Sequence, residues 1–370
     1  AAEPGSLWIH AVSLGETRAA AILVDALRAS RPDVRLLFTH GTATGRAEGA
    51  RLLQAGDAQA WLPWDTPAAV ARFLDHFRPA AGILMETEVW PNLAAACRER
   101  GVPLALANAR LSEKSLAGAR RFGRLSRPAY AALAAVWAQT EADAGRLAQA
   151  GATVQGVFGN LKFDASPDAA QLAQGRTWRA SRQRPVVMFA SSREGEEAEL
   201  LAAIANRTDV QWLLVPRHPQ RFDEVGVVAA QAGFSVSRRS AWSGAPHEAD
   251  VWIGDSIGEM PLYYGLADAA LLGGSFAPLG GQNLIEAAAC GCPVVMGQHT
   301  FNFGEAAELA LEAGAARRVA SLQQGVDVAV ALVKDPSGRS IAAEASERFA
   351  QAHRGAARKT ADAVLALLAK

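Results

Sequence analysis

Cysteine is scarce in this chain of 370 residues: Cys97, Cys290 and Cys292 are all it has. Three thiols cannot build a disulfide framework, and Cys290-Gly-Cys292 has no second pair to complete a zinc site. A reducing, cytoplasmic setting is the simpler expectation. Charge of one sign is lacking too, with 37 basic side chains against 37 acidic ones. The global balance therefore gives no sign of nucleic-acid binding. No apolar run of about 18 residues occurs, so no spanning helix is expected. Asp-x-Asp is also missing, and with it the metal clamp that single-domain sugar transferases place on a diphosphate. No His, Cys and carboxylate set has metal spacing, so neither a metal nor another cofactor is expected.

What the chain does have is a core. Half of its residues are hydrophobic, and its length exceeds the usual limit for a single core, so two domains are expected. Short apolar runs alternate with amphipathic ones. Leu7–Val12, Val34–Thr39, Ala81–Met85, Val102–Ala107 and Val136–Gln139 read as strands. Helices are expected at Thr17–Ser30, Thr66–Phe77, Pro91–Arg100 and Ser112–Leu133. The pattern restarts with strands at Val186–Ser191, Gln211–Val215, Val251–Ile253, Ala269–Gly273 and Pro293–Met296. Gly195–Ile204, Gln220–Ala232, Glu259–Ala267 and Asn283–Ala289 are the helices between them. Such alternation implies parallel sheets covered on both faces. The fold expected is α/β, with two doubly wound Rossmann-like domains facing a central cleft. The first spans 1–165 and the second 186–350. A polar linker, 166–185, joins them, and a C-terminal helix, 351–370, is expected to pack back on the first domain. The opening Ala1–Ser6 has no initiator Met and reads as a truncated or processed start, before which an anchor could have stood.

Candidate chemistry gathers at strand ends. Ser13-Leu14-Gly15-Glu16 follows the first strand and opens a helix. Glu16 could accept a proton from an incoming hydroxyl, or it could be a helix-start acid favoured by the dipole. Glu86 and Glu88 follow the third of these strands. Either one of them reaches the cleft or both are helix-start acids ahead of Pro91. The stretch Gly273–Glu286 ends a strand in glycines and sets a second pair, Gly280-Gly281, before a helix. It fits neither the P-loop nor the dinucleotide fingerprint, yet glycine lets backbone approach an anion, which a helix N-terminus favours. Gly274, Ser275, Gly281, Asn283 and Glu286 are its candidates, Glu286 for ribose hydroxyls. Ser191 and Ser192 could donate to a ligand. Arg217 could pair a phosphate or carboxylate, while His218 before Pro219 is either a ligand contact or a turn residue. Lys162 could overhang the cleft as a second cation.

Taken in order, these segments resemble the Kdo (3-deoxy-D-manno-octulosonic acid) transferase family across nearly the whole chain. The upper-domain stretches are HAVSLGE (His10–Glu16), GTATGR (Gly41–Arg46), METEVWPN (Met85–Asn92), ANARLSEKS (Ala107–Ser115) and GNLKFD (Gly159–Asp164). The lower domain adds ASSREGEE (Ala190–Glu197), VPRHPQRF (Val215–Phe222), GDSIGEM (Gly254–Met260), GGSFAPLGGQN (Gly273–Asn283) and GQHTFNF (Gly297–Phe303). The resemblance implies a GT-B fold and metal-independent transfer with inversion. CMP-Kdo would be the donor, and the lipid A precursor, a phosphorylated, acylated glucosamine disaccharide, the acceptor. It makes Glu16 the base, assisted by Glu88 or Glu86, and lines the CMP site with Arg217, Gly258, Ser275, Asn283 and Glu286. Ser13 and Gly15 of HAVSLGE, and Glu259 and Met260 of GDSIGEM, are carried over as substrate contacts.

The likeness has departures, mostly on the donor side. Arg193 stands where the family usually has His, Gln282 stands in a Gly-Gly-His-Asn pattern, and Ala replaces a proline after Asn283. Arg110, Lys114, Arg120, Arg121, Arg124 and Arg127 face a single acid, Glu113, in residues 110–127. That run fits either a solvated helix face or anionic lipid headgroups at the cytoplasmic side of a bacterial inner membrane. Two rival readings are a nucleotide-sugar epimerase of similar architecture and a non-catalytic nucleotide-sugar or lipid-binding module.

Overall fold

The computed structural model describes residues 5–369, and the chain divides into two compact units, Ala1–Asp164 with His353–Lys370, and Ala165–Ala352. The first unit holds one seven-stranded sheet. Its strands are β1 (Leu7–His10), β2 (Leu36–His40), β3 (Ala58–Trp61), β4 (Ala81–Met85), β5 (Leu104–Ala109), β6 (Ala135–Ala138) and β7 (Gly156–Val157). They lie in the order β3-β2-β1-β4-β5-β6-β7, every pair parallel. Parallel neighbours need long crossovers. Here these contain α1 (Leu14–Ser30), α2 (Ala43–Ala50), α3 (Pro67–Phe77), α4 (Pro91–Glu99), α5 (Glu113–Arg121), α6 (Gly123–Ala131) and α7 (Glu141–Ala150).

The alternation of side chains explains why the strands read as unbroken apolar runs. Leu7, Ile9, Phe38 and Ile83 pack with Leu23 and Leu27 of α1 on one face. Their neighbours Trp8, Leu37 and Leu84 pack with Phe73, Leu93 and Leu147 on the other. Neither face meets water, so both sets must be apolar.

The second unit repeats the plan. Its strands are β8 (Val186–Ser192), β9 (Gln211–Pro216), β10 (Val236–Arg238), β11 (Val251–Ile253), β12 (Ala269–Leu272), β13 (Val294–Met296) and β14 (Ala316–Arg318). The order is β10-β11-β9-β8-β12-β13-β14, again all parallel. Its helices are α8 (Ala169–Ala180), α9 (Glu196–Ile204), α10 (Phe222–Gln231), α11 (Met260–Leu266), α12 (Leu284–Ala289), α13 (Gly304–Glu312), α14 (Leu322–Lys334) and α15 (Pro336–Ala352). Last comes α16 (Ala356–Leu368), whose Ala357, Ala361 and Val364 belong to the α1 side of the first core.

Three expectations are corrected. The polar stretch 166–185 is no open linker, because α8 fills it and packs on α11. The two helices approach so closely that a Cβ on Gly175 would lie 2.1 Å from the Leu262 carbonyl oxygen. The single helix expected over Ser112–Leu133 is two, α5 and α6, parted at Phe122. The edge strands β3, β10 and β14 and the short β7 went unread. They are two to four residues long and only partly buried, so they lack the apolar signature of the centre.

Each sheet has a switch in strand order beside its first strand, between β1 and β4 and between β8 and β12. Ligands of doubly wound sheets bind outside the carboxyl ends of strands at such a point.

Candidate active site

At the first switch point, Ser13 caps α1, and its hydroxyl accepts the Glu16 amide at 3.4 Å. Glu16 answers with both oxygens. Oε2 accepts the Val12 amide at 2.9 Å, and Oε1 accepts the Ser13 hydroxyl at 3.0 Å. This is a reciprocal cap, so the plainer reading of Glu16 is realised. It does not exhaust the side chain, since two carboxylate oxygens offer about four lone pairs. Partial burial pushes the Glu16 pKa above the usual carboxylate range. The Val12 and Ser13 hydrogen bonds oppose the rise, and the Glu86 charge adds to it. Gly15 lies exposed in the same turn.

The end of β4 resolves the acid pair. Glu86 sits in left-handed backbone, φ 59°, a conformation costing a non-glycine residue on the order of 1–3 kcal/mol. Its side chain is buried, 2.8 Å from Arg110 Nε and 3.6 Å from Lys162 Nζ. Glu88 is half-buried and accepts the Trp90 indole N–H at 3.0 Å. Burial raises its pKa, and the Glu16 charge is the next cause. Glu86 thus faces two cations, whereas Glu88 shares a field with Glu16. Lys162, expected as a cation over the cleft, belongs to this acidic half-site. It is carried by the 3₁₀ turn Leu161–Asp164, whose first amide Asn108 Oδ1 holds at 3.0 Å.

The second switch point is organised differently from expectation. Ser192 is buried and gives its hydroxyl to Glu197 at 2.7 Å. Ser275 is fully buried, donating to the Leu272 carbonyl at 2.5 Å and accepting the Gly297 amide at 2.9 Å. The Gly274 amide, looked to for an anion, is taken by Glu196, and the Gly281 amide donates to the Gly274 carbonyl at 2.8 Å. Asn283 caps α12 with its own side chain, accepting the Ile285 amide at 3.2 Å. Glu259 is bound by Arg239 at 2.8 Å and by the Ser256 hydroxyl. Hydroxyls, amides and one acid expected to meet ligand therefore hold the turns together. The glycine pairs remain necessary, because Gly274, Gly280 and Gly281 all have positive φ.

What this edge presents is cationic. Arg217 is exposed at the end of β9 and donates from Nε to Gln282 Oε1 at 3.1 Å. The Arg193 side chain passes over Gly274, whose Cβ position is 3.6 Å from Arg193 Cγ. His218 is half-exposed; its pKa is lowered first by desolvation, then by Arg193, Arg217 and Arg221. Arg221 is neutralised by Glu197 at 2.8 Å and Glu224 at 3.2 Å. Ser191 is half-buried in left-handed backbone, φ 57°. Gly258 is exposed at φ 84°, Met260 opens α11, and Glu286 lies half-buried in the first turn of α12. Glu286 adds to the burial that pushes the Tyr264 phenol up.

The sequence reading missed Arg110 as the partner of Glu86, Glu196 as the clasp of the glycine turn, and Arg193 beside His218. Arg110 directly follows β5, a position at which a charged residue signals the site. Glu196 and Arg193 lie inside a motif already noticed, but partners are invisible in sequence. Among the described residues, no three or more His, Cys, Asp or Glu side chains are grouped as a metal would require.

A family model described as 3-Deoxy-D-manno-octulosonic-acid transferase (kdotransferase) matches residues 1–165. The chain is 50% identical over 371 residues to the 3-deoxy-D-manno-octulosonic acid transferase of Bordetella pertussis, an alignment covering 97% of this chain and 86% of that one. Anabaena Alr3699/HepE, solved in complex with UDP, is similar with TM-score 0.64 and 17% identity, over 98% of this chain and 99% of that one. The UDP-GlcNAc 2-epimerase from Neisseria meningitidis, bound to UDP-GlcNAc, reaches TM-score 0.61 and 14% identity over 98% and 99%. At these identities the two structures speak for the fold alone, two Rossmann-like domains.

Proposed function

The chain belongs to the 3-deoxy-D-manno-octulosonic acid transferase family and is a GT-B glycosyltransferase of lipopolysaccharide biosynthesis, and on that premise we propose that it moves Kdo from CMP-Kdo to the lipid A precursor with Glu16 as general base. Membership in a family of transferases decides against the epimerase and the non-catalytic binder.

One observation carries the assignment of the base. Glu16 stands at the β1/β4 switch point, half-buried, with its pKa raised and a second raised carboxylate, Glu88, in its field. A base of raised pKa holds an abstracted proton better. The acceptor hydroxyl oxygen forms the bond to the anomeric carbon as the bond from that carbon to the CMP phosphate oxygen breaks. The hydroxyl proton passes to Glu16, and the bonding pair leaves with CMP, giving inversion. Arg110 and Lys162 pair with the buried Glu86 side chain, so that it is not left unopposed. The negative charge that CMP carries away is met by Arg217 and Arg193, with Gln282 positioning Arg217. Glu286 and the Gly258–Met260 turn complete the nucleoside side.

The acylated acceptor puts the reaction at a membrane surface, and α5 and α6 suit it. Lys114, Arg120, Arg121, Arg124 and Arg127 are exposed, and between them Phe122 and Leu125 are 65% and 60% exposed. Basic residues interleaved with apolar ones favour an anionic leaflet, here the cytoplasmic face of the inner membrane. Arg110 leaves that run, since it turns to Glu86. Among the described residues no helix is long and apolar enough to cross a membrane.

Incubation with CMP-Kdo and the lipid A precursor tests the reading. Donor is consumed only when acceptor is present, and Glu16→Gln binds CMP normally while losing transfer by roughly 10²–10⁴-fold. Near-normal turnover by that variant removes Glu16 from the mechanism.

A further inference from the structure

The first unit exposes two large aromatic side chains that this chemistry does not use. Trp61, ending β3, is 50% exposed, and Trp64 is 88% exposed. A tryptophan offers about 150–250 Å² for burial, and here half of Trp61 and most of Trp64 are left to water. The segment is firmly held all the same. Asp65 accepts the Asn92 amide at 3.1 Å and the Leu93 amide at 2.8 Å, which ties residues 61–65 to the start of α4, just beyond Glu88 and Trp90.

On the other side, the Arg46 guanidinium carbon lies 4.9 Å from the Trp61 ring centroid. Arg46 belongs to α2, whose cap Thr42 gives its hydroxyl to the Val12 carbonyl at 2.9 Å. Val12 is also the residue whose amide Glu16 holds. Glu16, Arg46 and Trp61 are thus built on one short frame. Glu48, the nearest acid along α2, is engaged by Arg18 at 3.4 Å and Arg51 at 3.2 Å. No carboxylate among the described residues pairs with Arg46. A guanidinium laid on an indole keeps its N–H donors in its own plane, free to receive an anion.

We propose that Arg46 and Trp61, with Trp64, form a subsite for a phosphorylated sugar ring of the acceptor. The guanidinium receives the phosphomonoester, and indole surface receives the apolar face of the ring. The proposal rests on the acceptor reading above and adds the residues that select the phosphorylated form.

The test is steady-state transfer by the full chain with two acceptors, the lipid A precursor and the same lipid stripped of phosphate by a phosphatase. In Arg46→Ala the preference for the phosphorylated acceptor, as a ratio of kcat/KM values, falls by roughly 10–100-fold, the effect of a lost charge-assisted contact. Arg46→Gln, which keeps the side chain's reach, loses it similarly, and Arg46→Lys recovers part by supplying charge without the fork. A ratio unchanged in Arg46→Ala and Arg46→Gln, or equal losses on both acceptors, overturns the subsite. Absence of transfer by the unmodified chain counts against the donor and base assignments instead. Calorimetric titration of the phosphorylated acceptor in detergent micelles then decides the subsite separately. Weaker binding by Arg46→Gln supports it, and equal binding overturns it.

Discussion

Glu196 holds the Gly274 amide with both carboxylate oxygens, each 2.9 Å from the nitrogen, and takes the Arg193 amide at 2.9 Å. One buried side chain thereby fixes the shape of two strand ends, β8 and β12, and with them the course of Arg193. Replacing it by Ala leaves buried amides unpaired, a loss of about 1–3 kcal/mol for each group left unsatisfied. The expected result for Glu196→Ala is a lower melting temperature, by about 2–4 °C per kcal/mol for a unit of this size, together with weaker CMP binding. Scanning calorimetry and CMP titration measure the two. A variant that melts as the parent does tells against the clasp.

Transfer should fail in acid sooner than an ordinary carboxylate base would allow. Glu16 works ionised, and its pKa is raised, chiefly by burial, so the proton that silences it binds at a higher pH than usual. Glu88 is raised by burial and by Glu16, whereas the charge that adds to the rise at Glu16 is that of Glu86. Glu86→Gln removes that charge, and the acid limb of the kcat profile is expected to move to lower pH. A limb that stays in place dissociates Glu86 from the base.

His218 is a reporter for the donor phosphate. Its pKa is held down by desolvation and by Arg193, Arg217 and Arg221, which favours the neutral ring. An anion bound among those guanidiniums offsets their charge and raises the pKa, and CMP binding should be accompanied by proton uptake. Arg217→Ala removes one cation, so His218 titrates at higher pH in the free protein while CMP affinity falls about tenfold or more. Histidine NMR titration and calorimetry in buffers of different ionisation enthalpy read both. An unmoved His218 and unchanged CMP affinity exclude Arg217 from the donor site.

The central strands were legible because burial on both faces leaves an unbroken apolar run, as in Leu104–Ala109. The edge strand Ala58–Trp61 was not, since its exposure dilutes the pattern. The helix Ala169–Ala180 was hidden by its polar residues, although Asp168 supplies a cap at its start. At the site, positions were readable and partners were not. Glu16 could be placed at a strand end, but strand alternation puts residues two apart on one face, and the different surroundings of Glu86 and Glu88 come with the left-handed backbone at Glu86. Which neighbour takes a hydroxyl depends on residues far along the chain. Ser192 and Ser275 therefore read as ligand donors, although Glu197 and the Leu272 carbonyl receive them.

The carboxylate of Asp164 accepts the Gly355 amide at 2.6 Å and the Ala357 amide at 2.7 Å, and so seats the last helix on the unit to which the first strand belongs. On the ribosome, the unit that holds β1 therefore completes its packing only after α16 has emerged. The intervening unit, contiguous in the chain, can close on itself earlier, and until then the α1 side of the first core lacks its apolar cover, a surface open to non-native association.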